Sequence, residues 1–201
     1  SQSVTIADTS TTPVTQTSFT VSASEIATNN AITGNNAMTV TTPSSGSSTV
    51  VLDTDGLTSD GGFVVSGDSS TTLTAGTSAD TITLDTDGAS TVTSGAGDDS
   101  VTIIGSGTNT VTAGTGDDTV TITGAGNSTI DVGTGSDTVT TGAGNDTITI
   151  GSGDFSTADL ITAGLGTDKV IISGTGNTIT TADQLAGVET LELAGTAVTI
   201  D

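Results

Sequence analysis

Short alternations of apolar and polar residues recur along the chain and are separated by glycine-rich loops. In the most regular stretch, 75–149, each alternation places one Val or Ile between Thr or Ser residues, as in Thr81-Ile82-Thr83. This period of two is typical of β-strands that bury one face. An aspartate stands two positions before the aliphatic residue and recurs every 19 residues (99−80, 118−99, 137−118), at Asp80, Asp99, Asp118 and Asp137.

A second series of apolar residues, Val92, Val111 and Ile130, has the same spacing. Two half-turns of nine and ten residues therefore make one coil, and such a period is the signature of a solenoid. We predict an all-β fold: a right-handed parallel β-roll or β-helix solenoid with an irregular N-terminal portion and a C-terminal cap. The predicted divisions are 1–65 for the irregular β portion or cap, 66–180 for the solenoid, and 181–201 for the C-terminal cap. One helical turn is expected within 181–186.

Composition excludes several classes of partner. The chain has 23 Asp and Glu against one basic residue, Lys169, and a formal net charge of −22. Nucleic acids and anionic membranes would be repelled, and no apolar run approaches the ~20 residues of a membrane span. Low aromatic content and high charge are also typical of disordered chains, but disorder does not require regularly placed Val and Ile. One aliphatic side chain per half-turn offsets little of the ordering entropy, so another interaction must hold the coils together.

The repeated loop x-Gly-x-Gly-x-Asp-x-U-x, where U is aliphatic, indicates that this interaction is cation binding. Glycines permit positive φ and let carbonyl oxygens turn toward an ion, and Asp supplies the hard oxygen that Ca²⁺ prefers. Stacked carboxylates about 4.8 Å apart would repel one another without a cation, so folding and binding of several Ca²⁺ ions should be coupled. The alternative is a purely structural role, in which these aspartates only form turns. The candidate ligands are Asp80, Asp98, Asp99, Asn109, Asp117, Asp118, Asp137, Asp146, Asp168, and the loop glycines Gly95, Gly97, Gly114, Gly116, Gly133 and Gly135.

At these residues the chain resembles the repeats-in-toxin (RTX) family, whose Gly-Gly-x-Gly-x-Asp-x-U-x nonapeptides form a parallel β-roll with Ca²⁺ between stacked turns. The resemblance covers about 75–171. The first glycine of the motif is replaced, by Ser94, Ala113, Val132 and Thr141. On one edge Asn109 and Ser128 occupy positions where the family has Asp, and Asp146 restores it. The resemblance therefore implies calcium mainly on the edge of Asp80 to Asp137, with few ions on the other.

The C-terminal stretch 182–193 resembles segments of bacterial surface-layer and RTX adhesin-like proteins, which leave the cell by type I secretion. This resemblance implies an extracellular protein at the bacterial cell surface. We expect a structural role: a self-assembling component of a surface layer, fibre or matrix whose folding and assembly depend on Ca²⁺. The expected partners are further copies of the chain and cell-surface polysaccharide, with no nucleic acid and no membrane insertion.

The alternative function is a calcium-dependent binding module, either an adhesin segment or an ice-binding protein. Flat threonine ladders on β-solenoids resemble ice-binding proteins, although Thr also simply suits exposed strands. The ladders expected on the two sheets are Thr81/Thr83, Ser100/Thr102, Thr119/Thr121 and Thr138/Thr140 on one, and Thr91/Thr93, Thr110/Thr112, Thr129/Asp131 and Thr147/Thr149 on the other.

An enzymatic function is not expected. The sequence has no His and no Cys, so the usual bases, thiol nucleophiles and zinc ligands are missing. The pairs Asp98-Asp99 and Asp117-Asp118 recur with the coil and belong to the architecture.

Overall fold

The computed structural model consists of 18 β-strands in the part of the chain that it describes. The described residues are 5–7, 17–21, 38–41, 47–52, 63–67, 70–77, 79–151, 154–156, 158–179 and 184–200. The strands form two nine-stranded sheets, and the chain alternates between them, so that odd-numbered strands lie in one sheet and even-numbered strands in the other.

Sheet 1 contains, in spatial order, β1 (Thr5–Ala7), β3 (Met38–Thr41), β5 (Phe63–Gly67), β7 (Thr81–Thr86), β9 (Ser100–Ile103), β11 (Thr119–Ile122), β13 (Thr138–Thr140), β15 (Leu160–Thr162) and β17 (Leu185–Ala186). Sheet 2 contains β2 (Thr17–Val21), β4 (Ser47–Leu52), β6 (Ser70–Thr74), β8 (Ser90–Ala96), β10 (Asn109–Thr115), β12 (Ser128–Asp131), β14 (Thr147–Ile150), β16 (Lys169–Ile179) and β18 (Thr190–Ile200). Each strand pairs in parallel with the strands one coil before and after it, which is the arrangement of a β-solenoid.

The 19-residue spacing is the register between coils. Thr119 of β11 pairs with Ser100 of β9 and with Thr138 of β13, one coil to either side. Because this register keeps equivalent residues on the same face, every strand in the regular region alternates buried and outward positions. The buried positions form continuous aliphatic rows between the sheets, including Ile82, Val101, Val120 and Val139 from sheet 1 and Leu73, Val92, Val111, Ile130, Ile148 and Val170 from sheet 2.

Close stacking of the coils explains the glycines at the ends of β8 and β10 and in the loops that follow. Gly114 has a φ of +113°, in the region that L side chains rarely adopt. A Cβ atom on Gly114 would lie 1.8 Å from the carbonyl oxygen of Gly95 in the preceding coil. The loop therefore requires glycine both for its backbone conformation and for the spacing between coils.

The predicted all-β parallel solenoid is confirmed. Its handedness and the boundaries at 65 and 180 stay predictions, but the strands described before residue 65 and after residue 181 belong to the same two sheets as the regular repeats. Of the helical turn expected within 181–186, Gln184 lies in a 3₁₀ turn. The expectation is wrong for Leu185–Ala186, which form β17 because their backbone pairs with Ile161 and Thr162. Residues 181–183 lie outside the described residues.

Candidate metal centre

One edge of the solenoid carries a ladder of aspartates. We call this the first edge; it consists of the loops that lead into strands β7, β9, β11, β13 and β15. The backbone N–H of each ladder residue except the last donates to Oδ1 of the aspartate one coil further along, at 2.7–2.9 Å. The successive members are Asp80, Asp99, Asp118, Asp137 and Asp159.

The interior members of this ladder each leave one buried oxygen without a partner. Oδ2 of Asp99, Asp118 and Asp137 is buried and has no hydrogen-bond donor. At the two ends of the ladder the second oxygen is bonded within its own loop. Oδ2 of Asp80 accepts the Gly76 N–H at 3.4 Å, and Oδ2 of Asp159 accepts the Ser156 N–H at 2.6 Å.

Burial makes the charged form of these carboxyls unfavourable. It raises the pKa of Asp99 from 3.8 to about 6 and that of Asp137 to about 7. Burial also raises the pKa of Asp118. The Asp80 and Asp118 carboxylates raise the Asp99 pKa further, although the hydrogen bond from the Asp80 N–H opposes this change. In the absence of a cation, the first edge therefore holds destabilised negative charge.

These carboxylates fit a hard divalent cation. An anionic oxygen that is buried without a donor is the group such an ion would neutralise. Within the described residues, no group of three or more acidic side chains converges on one point. A calcium ion, with its six to eight oxygen ligands, would therefore combine Oδ2 atoms of successive ladder residues with loop carbonyl oxygens and water.

The predicted glycine ligands lie at equivalent positions of successive coils. Gly114 stacks on Gly95, and Gly133 stacks on Gly114 with the same 1.8 Å distance from a Cβ to the carbonyl oxygen below. Gly116 stacks on Gly97 and Gly135 stacks on Gly116, with distances of 2.2 and 2.0 Å from a Cβ to the carbonyl oxygen below. Their participation as carbonyl donors stays a prediction.

Asp98 and Asp117 form a separate ladder on the outside of the first edge. Oδ1 of Asp98 accepts the Asp117 N–H at 2.9 Å, and Oδ1 of Asp117 accepts the Ser136 N–H at 2.9 Å. Both aspartate side chains are exposed. They add negative potential beside the buried ladder, and they raise the pKa of Asp118; their role as direct ligands stays a prediction.

The opposite edge, which we call the second edge, consists of the loops that lead into the sheet 2 strands. Here the predicted ligands Asp146 and Asp168 form a shorter ladder: Oδ1 of Asp146 accepts the Ser128 N–H at 2.7 Å, and Oδ1 of Asp168 accepts the Asp146 N–H at 2.8 Å. Oε2 of Glu189 accepts the Asp168 N–H at 2.8 Å and ends the series. Oδ2 of Asp146 and of Asp168 is buried without a partner.

Asn109 lies on the second edge but outside this carboxylate ladder. Its Nδ2 donates to the carbonyl oxygen of Gly107 at 3.0 Å, and its Oδ1 is buried without a partner. The neighbours of Asn109 one coil away are Ser90 and Ser128, which are uncharged.

Sequence analysis missed two ladder members, Asp159 and Glu189. Asp159 ends a short insertion, 156–159, that breaks the 19-residue period, although Asp159-Leu160-Ile161-Thr162 has the Asp-x-U-x pattern that marks the other ladder aspartates. The insertion lengthens this coil from 19 to 22 residues (159−137), so a search at a fixed period passes over it. The structure also shows how the insertion is held: Gln184 Nε2 donates to the Ser156 carbonyl oxygen, and Asn177 Oδ1 accepts the Phe155 N–H.

Comparison with protein families agrees with this geometry. The family model of the RTX calcium-binding nonapeptide repeat (4 copies) matches residues 103–121 and 122–154. These ranges include the ladder residues Asp118, Asp137 and Asp146. No curated protein and no solved structure matches the chain.

Replacing Asp118 with Asn separates charge from hydrogen bonding. The Asn retains Oδ1 for the Asp99 N–H but loses the buried anionic oxygen. We expect the calcium midpoint of folding, followed by far-UV circular dichroism, to rise on the order of 10-fold. Without calcium, we expect the variant to be more stable than the parent, because a buried charge has been removed. Asp131→Asn is the matched control, since it removes one exposed charge that belongs to neither ladder; equal shifts in the two variants would contradict the assignment.

The metal-free protein should be more stable in acid. The pKa values of Asp99 and Asp137 in the folded state, about 6 and about 7, lie above the unfolded value. The folded state therefore binds more protons, and its stability is fully present below about pH 4 and is lost as the pH rises through 6 to 7. Thermal unfolding of calcium-free protein should give a higher Tm at pH 5 than at pH 8, and Asp137→Asn should reduce this difference while the exposed Asp131→Asn should not. A higher Tm at pH 8 would show that the carboxyls are not destabilised.

Proposed function

We propose that this protein is an extracellular structural component that assembles with copies of itself. Its repeats and its solenoid fit the RTX β-roll family and make it a calcium-dependent β-roll protein. RTX β-roll repeats are generally structural or binding units rather than enzymes, and proteins that carry them are typically secreted. In this proposal the chain forms a surface layer, fibre or matrix at a bacterial cell surface. It leaves the cell by type I secretion and contacts cell-surface polysaccharide. Calcium outside the cell orders the coils and permits assembly.

The observation that carries this proposal is the exposure of two leucines of β18 that continue the core rows. Leu191 and Leu193 of β18 pair with Val170 and Ile172 of β16, so they continue the buried rows of sheet 2. Val170 and Ile172 are 0 % exposed, whereas Leu191 is 38 % and Leu193 is 41 % exposed. Inside the solenoid the next coil covers such a row. At β18, a surface from another copy of the chain would remove the same apolar area from water.

Charge explains why assembly would depend on calcium. Copies with a formal net charge of −22 repel one another. Lys169, the only Lys or Arg in the sequence, is already bonded to Glu192 Oε2 at 2.5 Å. Bound calcium would lower the net charge and order the C-terminal coils that present the leucines.

The described part of the chain contains no helix with the length and hydropathy needed to cross a membrane.

Particle size in the presence of chelator and then in millimolar Ca²⁺ tests the proposal. We expect light scattering and negative-stain microscopy to show growth into sheets or fibres with calcium, and Leu193→Glu to block growth while its calcium-induced circular dichroism stays unchanged. Leu165→Glu is the control, because Leu165 is a 76 % exposed leucine on a second-edge loop. A wild-type protein that compacts to a monomer in calcium would refute self-assembly and favour a binding module.

A second candidate function, ice binding, is favoured by the register of the outward threonines. Five threonines align across consecutive strands of sheet 1: Thr83, Thr102, Thr121, Thr140 and Thr162. Five more align in sheet 2: Thr72, Thr91, Thr110, Thr129 and Thr147. Each sheet therefore presents hydroxyl and methyl groups at one-coil intervals, about 4.8 Å apart.

Thermal hysteresis of the calcium-loaded protein tests this second function. If the sheet 1 row binds ice, we expect measurable hysteresis that Thr121→Tyr abolishes, because a large side chain interrupts the flat row. Thr115→Tyr, at the exposed last position of β10 in sheet 2, should leave the hysteresis unchanged. Absence of hysteresis in the wild-type protein would exclude ice binding.

A further inference from the structure

Two exposed asparagines, Asn127 and Asn145, occupy neighbouring coils just before β12 and β14. The Asn145 N–H donates to Asn127 Oδ1 at 2.8 Å, and the Thr167 N–H donates to Asn145 Oδ1 at 2.9 Å. Because a backbone N–H requires an acceptor, the atom that faces it is Oδ1, and the other terminal atom of each side chain is the amide nitrogen Nδ2. The Oδ1 atoms thus join neighbouring coils, and the Nδ2 atoms take no part in this contact.

The amide nitrogens of these two side chains are free. Among the described residues, none accepts a hydrogen bond from Nδ2 of Asn127 or Asn145. The other two asparagines in the described part of the chain are different. Nδ2 of Asn109 and of Asn177 donates to a backbone carbonyl oxygen, at 3.0 and 2.9 Å, and both side chains are buried.

The sequence separates the four asparagines in the same way. Asn127-Ser128-Thr129 and Asn145-Asp146-Thr147 have the form Asn-x-Thr, which is an acceptor sequence for N-linked sugars. Asn109 and Asn177 have an aliphatic residue two positions later, and no other asparagine of the sequence has Ser or Thr there. The asparagines with a free amide nitrogen are therefore the two that carry the acceptor sequence.

We propose that Asn127 and Asn145 are acceptor sites for N-linked glycosylation by a glycosyltransferase of the producing cell. The donor is a sugar whose anomeric carbon is linked to a diphosphate, which is carried by a nucleoside or by a lipid. Nδ2 forms a bond to the anomeric carbon, and the bond from that carbon to the phosphate oxygen breaks. The diphosphate leaves with the bonding electron pair, and Nδ2 loses one proton.

The solenoid accommodates this modification because the two atoms of each amide have separate roles. After the reaction Oδ1 is still an amide oxygen, so it accepts the N–H of the next coil as before. The sugar is attached to Nδ2, which breaks no hydrogen bond within the described part of the molecule when it is substituted. The inference goes beyond the proposed assembly and does not depend on it.

Peptide mass mapping of the full chain, isolated from the cells that produce it, tests this inference. A protease that cleaves before aspartate places the four described asparagines on different peptides: 99–116, 118–130, 137–145 and 168–182. We expect a sugar on 118–130 and 137–145 and none on the other two, with fragmentation placing it on the asparagine. A single sugar unit would identify a nucleotide-linked donor, and a preassembled oligosaccharide a lipid-linked donor. Unmodified asparagines in both expected peptides, a sugar on Asn109 or Asn177, or sugars only on Ser and Thr hydroxyls would overturn the inference.

Threonine variants separate the acceptor sequence from simple exposure of the loop. Thr129→Val removes the hydroxyl of the first acceptor sequence and keeps Asn127, so we expect peptide 118–130 to lose its sugar. Peptide 137–145 of the same molecules should keep its sugar and serves as the internal reference. Thr110→Val is the matched control, since Thr110 pairs with Thr129 one coil away and is also exposed but belongs to no acceptor sequence; both peptides should stay modified. An undiminished sugar on Asn127 in Thr129→Val would contradict recognition of the acceptor sequence.

Discussion

Stacking of successive coils depends on one recurrent hydrogen bond, from the backbone N–H before each strand to an acceptor in the next coil. Where an aspartate supplies that acceptor, Oδ1 completes the bond, as between the Asp99 N–H and Asp118 at 2.8 Å. In Asp99, Asp118 and Asp137 the same geometry buries Oδ2 without a donor. The interaction that fixes the register therefore also creates an unfavourable charge, and only a proton or a cation can remove it.

This coupling explains how a chain with few large apolar residues forms an ordered solenoid. Each core row has one aliphatic residue per strand, such as Val111 or Ile130, and the outward positions are mostly threonine. Neutralised edges would supply the stability that a larger core supplies in most domains. Because the buried carboxyls are concentrated in the loops, pH and calcium concentration affect the stability of the protein through the loops. The arrangement of the two sheets stays the same.

Much of the fold could be predicted from the sequence, because the 19-residue spacing is itself the inter-coil register. The alternation around Ile82 or Val120 identifies the strands, and Asp80 to Asp137 identify one edge. The ladder members Asp159 and Glu189 were missed for physical reasons. An insertion that packs through Phe155 and Gln184 changes the local period without changing the register of β15. A glutamate at the end of a row is longer than an aspartate and occupies a position that no repeat predicts.

The stacked glycines have a consequence for the length of the molecule. Because Gly95, Gly114 and Gly133 lie directly above one another, every interface between regular coils is nearly the same interface. A segment of 19 residues could be duplicated or excised there, and the flanking strands would meet a surface equivalent to the one they lost. Each such event would change the axial dimension by about 4.8 Å. The length of the solenoid can thus vary in steps of one coil, while the residues at each interface between coils stay the same.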